Sequence, residues 1–535
     1  MDPWSASTLF VALLILIPLA TVVIGLVQAG PKWDHLASTV LWTYVWNTVI
    51  LVGTVSILSL LFALPQAWLV SAFQFPGRKF FEWALVMPLA IPTYVAAFVY
   101  FQHTEAAIPA LVEIRKSFGV DAFIWSEKIL RYGLLSILMA GVLSPYLYIS
   151  ARTSFSRQQR ATIEAARTLG RGPFSVFFTV ALPLARPAIV AGLSLILMEV
   201  VNDYGAVHFF GVPTLTEGIF RTWFGLGDRS SALRLAGLVM LAVLFVLLIE
   251  RGQRGKARFS EFSRDQSPTS RVKLGAGGGI VAMTVCLIPL VIGLIYPLWQ
   301  LIGWAVMTFD TVIRNTFREQ LLHSLLLSLI TAAVLTGIAV LLVYTSRLHP
   351  VRWIRGIIRF STMGYAAPGA VIAVGVMVSF GMIDRGVKAG SGWLGLADSP
   401  FISGTIFAIC FAYLVRFLTV AYQPVRAGMT RVCGNLDEAS RTMGHSPAGT
   451  LFRINIPMIR GTLLAATMLV FVDILKELPL TMILRPTNFE TLSTTAFGYA
   501  KEGRIHECSV PSLIIIAAGA IGLFILNRFM RHKEA

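Results

Sequence analysis

Twelve apolar runs, each long enough to cross the roughly 30 Å hydrocarbon core of a bilayer, dominate this 535-residue chain. They fall near residues 9–29, 41–64, 80–101, 132–150, 188–206, 232–249, 280–304, 321–345, 357–380, 402–423, 461–484 and 511–529. A strand edge open to lipid would leave backbone N–H and C=O groups unpaired at several kcal/mol each, so every run is expected to be a helix. The fold class that follows is an all-α integral membrane protein. Composition agrees: 56% of the residues are hydrophobic and 13% charged, far from the balance of a soluble domain. The first run, Leu9 to Val27, has no basic residue ahead of it and spans about nineteen residues, so it is expected to stay as a membrane helix.

The net charge of +17 raises the question of nucleic acid. The basic residues, however, lie in short segments between apolar runs, with no aromatic-basic platform and no basic tail, which argues against a nucleic-acid partner. With the N-terminus placed inside, the inside segments carry about twice as many lysines and arginines as the outside ones, so both termini are expected in the cytoplasm. The outside loops 102–131, 207–231 and 485–510 are long and mixed in charge, and they suit a soluble partner. Cys286, Cys410, Cys433 and Cys508 are widely separated and show none of the paired spacing of a zinc or redox site.

A polar stretch occurs twice on the inside. Glu164-Ala165-Ala166-Arg167-Thr168-Leu169-Gly170 is followed by Pro183, and Glu438-Ala439-Ser440-Arg441-Thr442-Met443-Gly444 by Pro457, at a constant offset of 274 residues. A short helix would end at Gly170 or Gly444, because glycine tolerates the left-handed conformation that closes a helix. A second would begin at Pro173 or Pro447, with Ser446 capping the later copy. The small Ala165, Ala166 and Ala439 would let another surface approach closely, and Glu164 and Glu438 would meet a basic partner. A single copy also reads as an amphipathic linker lying on the membrane, helped by Arg160, Arg167 and Arg171; repetition at identical internal spacing favours two equivalent docking surfaces. The repeat extends further, since Asn47-Thr48-Val49 aligns with His323-Ser324-Leu325 and Pro92 with Pro368. Residues 1–250 and 280–535 thus read as tandem six-helix halves joined by a linker at 251–279, related by a pseudo-twofold axis along the membrane normal, with a pathway where they meet.

These features resemble the permease subunits of bacterial ATP-binding-cassette importers, whose cytoplasmic signature is the same Glu-Ala-Ala, Gly, Leu-Pro pattern. The resemblance implies coupling helices near 158–170 and 432–444 that dock into two copies of a cytoplasmic ATPase. Glu164, Ala165, Ala166, Gly170 and Pro183 would form one coupling element, and Glu438, Ala439, Ser440, Gly444 and Pro457 the other. It also implies a multi-pass protein of the bacterial inner membrane. No Gly-x-x-x-x-Gly-Lys-Ser/Thr phosphate loop is present, so this chain is expected to bind no cofactor and to catalyse nothing, with ATP and magnesium belonging to the partner.

Within that family, Asn202 to Val207, Gly211 to Thr216, Arg221 to Gly227 and Lys476 to Thr481 resemble the ferric-iron branch, which implies a periplasmic or extracellular iron-binding protein as a further partner. Thiamine, aminophosphonate or another small solute remains an alternative cargo. Glu199 and Asp203 stand four apart and are expected on one face of the fifth span; Asp473 and Glu477 repeat them at the same 274 offset. Ferric iron is a hard cation that prefers oxygen, so these four carboxylates and Tyr204 would form a transient relay. The competing reading makes them structural, with Lys476 neutralising the acids. His208 fits either a ligand or a residue at a helix end. Arg234 and Arg416, inside apolar runs, are expected to pair with a carboxylate or a backbone carbonyl. Proline and glycine at Pro88–Pro92 and Tyr365–Gly369 would break the third and ninth spans as hinges or as ordinary kinks.

Two other classes fit less well. An ion-driven secondary transporter needs no duplicated cytoplasmic dock. A membrane-embedded enzyme needs a catalytic constellation, and neither His-Glu-x-x-His nor Gly-x-Ser-x-Gly occurs.

Overall fold

The structure is a computed structural model that describes residues 2–28, 30–157, 168, 170, 172–255, 271–313, 315–362, 364, 367–391 and 402–531. Its helices, in chain order, begin with α1 (Pro3–Gly25), α2 (Leu41–Ala72), α3 (Arg78–Ala84), α4 (Thr93–Ala106), α5 (Ile108–Arg157), α6 (Leu182–Asn202), α7 (Gly205–Phe209) and α8 (Arg229–Gly255). There follow α9 (Ala276–Leu290), α10 (Tyr296–Val312), α11 (Asn315–Leu348), α12 (Arg352–Ser361), α13 (Gly369–Ser391) and α14 (Ile406–Met429). The series closes with α15 (Gly434–Thr442), α16 (Pro447–Thr450), α17 (Ile456–Leu475), α18 (Pro479–Leu484), α19 (Leu492–Lys501) and α20 (Ser509–Arg531).

Among the described residues, eleven helices are long and apolar enough to cross a membrane, or twelve if the pair Arg78–Ala90 and Thr93–Ala106, bent by 88°, forms one broken span. The bend falls at Ile91-Pro92, where the proline ring and its missing N–H forbid a continuous helix. The ninth span differs from the expected 357–380. It is divided into α12 and α13, and of the expected hinge Tyr365–Gly369, Tyr365 and Ala366 lie outside the described residues.

The segment expected as a plain linker also has structure at both ends. Helix α8 runs on to Gly255, while β2 (Val272–Lys273) pairs in parallel with β1 (Phe73–Gln74). The glycine cluster opens α9 at Ala276. Residues 256–270 lie outside the described residues.

The chain divides into two compact units that cross the sequence halves. One comprises 1–34, 219–240 and 308–535; the other comprises 35–218 and 241–307. In the first, α1 packs along α13, where the Thr21 and Ser379 hydroxyls lie 2.8 Å apart. In the second, the turn leading to α10 packs on α4: Tyr100 donates to the Ile292 carbonyl at 2.9 Å, and His103 Nε2 meets the Tyr296 hydroxyl at 2.7 Å. Each unit therefore recruits segments from the other half of the sequence, α1 and 219–240 in the first and 241–307 in the second.

Helices α4 and α13, which follow the breaks in the third and ninth spans, each carry a fully buried stretch. Val95 to Val99 on α4 are fully buried, as are Ala370 to Val374 on α13. A helix apolar all round belongs in an interior. The repeat is visible in polar contacts too: the Thr48 hydroxyl accepts from Leu215 N at 3.0 Å, and that of Ser324 accepts from Leu492 N at 2.7 Å.

Candidate functional site: a helix-turn-helix and two helix breaks

The second copy of the polar stretch folds as the helix-turn-helix its residues dictate. Helix α15 ends at Thr442 with Met443 as its cap, and Gly444 takes φ +83°, a left-handed value that a side chain would strain. The turn satisfies the last carbonyls, with Gly444 N donating to Arg441 O at 3.0 Å and His445 N to Ser440 O at 3.1 Å. Ser446 then caps α16 by accepting from Gly449 N at 3.1 Å. Glu438 and Ala439 are exposed, and Met443 is 77% exposed.

Ser440 departs from the expected outward role. It is buried, and its hydroxyl lies 2.8 Å from that of Thr450, so it joins α15 to α16.

Four residues not singled out from the sequence, Arg347, Asp437, Asn455 and Tyr344, fasten this element to the end of α11. Arg347 Nε donates to Asp437 at 2.6 Å, and its other nitrogens donate to the carbonyls of Met429 and Val432 at 2.7 and 2.9 Å. Asp437 also accepts from Asn455 at 3.1 Å, and the Tyr344 hydroxyl donates to Pro447 O at 2.7 Å. The only hint in the sequence is an arginine in the last turn of an apolar run, where a basic side chain suits a helix C-terminus.

Of the first copy, Glu164, Ala165 and Ala166 lie outside the described residues. Gly170 is described, and its φ of +78° matches Gly444. A widened five-residue turn stands ahead of each motif proline, at Phe177–Ala181 before Pro183 and at Leu451–Asn455 before Pro457. A proline inside a helix lacks the N–H for the carbonyl four residues back and its ring crowds that carbonyl, and a wider turn relieves both.

The acids stand at helix breaks. The expected four-residue pairing on one helix face does not form, because α6 stops at Asn202 and α17 at Leu475. Asp203 is extended (φ −67°, ψ 122°), and its Oδ1 accepts from Ala206 N at 2.8 Å, capping α7. Its other oxygen accepts from the Thr93 hydroxyl, so the break after α6 meets the bend before α4. Glu477 plays the equivalent part, accepting from Leu480 N at 3.2 Å to cap α18. The reason is local: each acid is three residues ahead of a backbone N–H left open at a helix start.

In the unit holding Glu477, Arg416 Nη1 lies 3.2 Å from Glu477 Oε1, the carboxylate partner expected for that arginine. A Cβ at Gly369 would sit 1.8 Å from Arg416 Nη1 and 2.6 Å from Glu477 Oε1, so only glycine lets α13 begin against this pair. Lys476 pairs with Asp473 at 2.9 Å, as the neutralising reading requires. Arg234, by contrast, stacks over the Trp33 ring at 4.3 Å. In the other unit, Glu199 is half-buried on α6, and Tyr204 is buried with its ring stacked on His208. His208 Nδ1 lies 3.9 Å from Glu217. Among the described residues, no three His, Cys, Asp or Glu side chains gather as a metal-holding cluster.

Comparison with known proteins agrees with the motif. The family of binding-protein-dependent transport system inner membrane components matches residues 60–251 and again 338–534. The Fe(3+)-transport system permease protein FbpB 2 of Haemophilus influenzae is 23% identical over 490 residues, covering 90% of this chain and 89% of its own. The molybdenum transport system permease protein ModB of Escherichia coli is 29% identical over 215 residues, 38% of this chain and 91% of its own. The sulfate transport system permease protein CysT of Salmonella typhimurium is 27% identical over 206 residues, 38% of this chain and 72% of its own. Two copies of one family domain, together spanning most of the chain, make this protein a member of the binding-protein-dependent transport system inner membrane component family, a non-enzymatic, multi-pass permease of the ATP-binding-cassette importer class.

Proposed function

We propose that this permease carries ferric iron into the cytoplasm, with both termini inside. Two copies of an ATPase subunit dock, one on the segment of Glu164, Ala165, Ala166 and Gly170 and the other on the exposed face around Glu438, Ala439 and Gly444, and a soluble binding protein delivers iron at the opposite surface. The observation that carries the choice of cargo is the matched pair of acids at helix breaks, Asp203 and Glu477, with Glu199 and Asp473 one turn earlier. Carboxylate oxygens suit a hard trivalent cation. The full-length match to a relative named for Fe(3+) transport supports the same choice, whereas the relatives named for molybdenum and sulfate match over less than half of this chain.

In this reading each acid offers oxygen donors for a weak contact, with iron as a passing substrate. A cation that must leave again is better served by weak sites in series than by one tight cage.

The test is uptake of labelled ferric iron against molybdate, sulfate and thiamine by vesicles containing the assembled complex. Asp203→Asn with Glu477→Gln keeps side-chain acceptors for the caps while removing charge. Iron uptake is expected to fall about tenfold, the effect of losing roughly 1.4 kcal/mol of differential interaction, with ATPase association intact. Unchanged iron uptake, or preferred uptake of an oxyanion by the native complex, would overturn the assignment.

A further inference from the structure

Helix α12 divides its surface three ways. Ile354, Ile358 and Ser361 are buried against the bundle. Arg352, Arg355 and Arg359 are exposed and, at spacings of three and four, form one stripe. Trp353 and Phe360, seven apart, are 47% and 60% exposed on the side between the buried and basic stripes. The helix contains no acidic residue, and Arg355 donates to the Pro350 carbonyl at 2.6 Å.

The matching helix of the first half is built differently. In α3, Arg78 is buried and paired with Glu82 at 3.1 Å, and Glu82 also accepts from Arg152. The position 274 residues after Glu82 is Gly356, so the second half has lost the internal acid and gained an outward basic stripe.

We propose that α12 is a seat for anionic phospholipid headgroups and that the seat is confined to the second half. The arginine stripe supplies guanidinium forks for phosphate oxygens, and the neighbouring Trp353 and Phe360 reach the acyl boundary at the same depth. An acidic protein surface would satisfy the arginines and leave the two aromatic side chains in water, which favours lipid. The inference does not depend on which solute is carried.

The experiment uses the full chain in nanodiscs of phosphatidylcholine doped with phosphatidylglycerol, with retained lipid read by native mass spectrometry. The native chain is expected to enrich phosphatidylglycerol over its bulk fraction. R352Q/R355Q/R359Q should lose that preference, since each basic residue near an anionic surface contributes about fivefold, on the order of a hundredfold for three. R352K/R355K/R359K should retain it, and K79Q on α3 should leave it unchanged. Should the glutamine variant fail to insert, rising salt on the lysine variant should erode the enrichment through screening. Enrichment that survives the triple glutamine change, that disappears equally in K79Q, or that ignores salt in the lysine variant would overturn the seat. So would loss of a bound protein from the glutamine variant with its lipid preference intact.

Discussion

The glycines of the two motif copies share a left-handed φ, +78° at Gly170 and +83° at Gly444, and the described residues around them differ. The second is fastened by a polar network of Arg347, Asp437 and Asn455. Subtracting the 274-residue offset turns those positions into Phe73, Ile163 and Ala181. Around the first copy the described residues form an aromatic cluster instead: Trp68 lies 5.4 Å from Phe155, 5.5 Å from Phe177 and 6.3 Å from Phe73, ring centre to ring centre. Position 176, equivalent to Thr450, is a buried valine. The same left-handed glycine is thus found beside two kinds of packing, because glycine sets its own backbone angle while the neighbouring side chains need only fill space.

That contrast can be broken at several points. The largest effect is expected from Gly170→Val with Gly444→Val, which places a β-branched residue at positive φ in both turns at about 1–3 kcal/mol each. Transport and ATPase association should be abolished while membrane insertion persists. Next, Trp68→Ala should destabilise the first copy by about 3–5 kcal/mol, insensitive to salt. Arg347→Ala should loosen only the second copy, by about 2 kcal/mol; its pair with Asp437 is partly exposed, which reduces the value of the charge, but two backbone carbonyls lose their donor. Hydrogen exchange over 434–450 separates the two cases: it should quicken in Arg347→Ala and remain slow in Trp68→Ala. Equal quickening in both variants would mean that the copies are one mechanical unit. Ser440→Ala is the smallest, at about 1 kcal/mol for a lost hydroxyl contact with Thr450, and should leave ATPase affinity nearly unchanged because the side chain faces inward.

How much of this could be read in advance follows from what each feature depends on. The spans and the helix-turn-helix depend on local chemistry: apolar runs, Gly444, Ser446 and Pro447 suffice. The break after α6 was hidden because hydropathy, averaged over a span, does not register that Asp203 caps a new helix. The Arg347 to Asp437 contact joins residues 90 apart in sequence, so no spacing rule reveals it. Nor does periodicity say that α1 packs with α13, a choice made by the Thr21 and Ser379 contact and the surrounding packing. The inward turn of Ser440 was legible in principle from its place opposite the exposed Glu438 on a short helix.

The central claim is that motor subunits seize this permease at its two cytoplasmic turns. It is tested most directly by placing a cysteine at Met443, in a chain whose exposed Cys433 is serine, and cross-linking it within the assembled complex. The account predicts a cross-link to the ATPase subunit whose yield changes with ATP, and no reaction of Met443→Cys with an impermeant thiol reagent applied from outside intact cells. Labelling from the exterior, or a fully active complex in which this cysteine never reaches the ATPase, would contradict it.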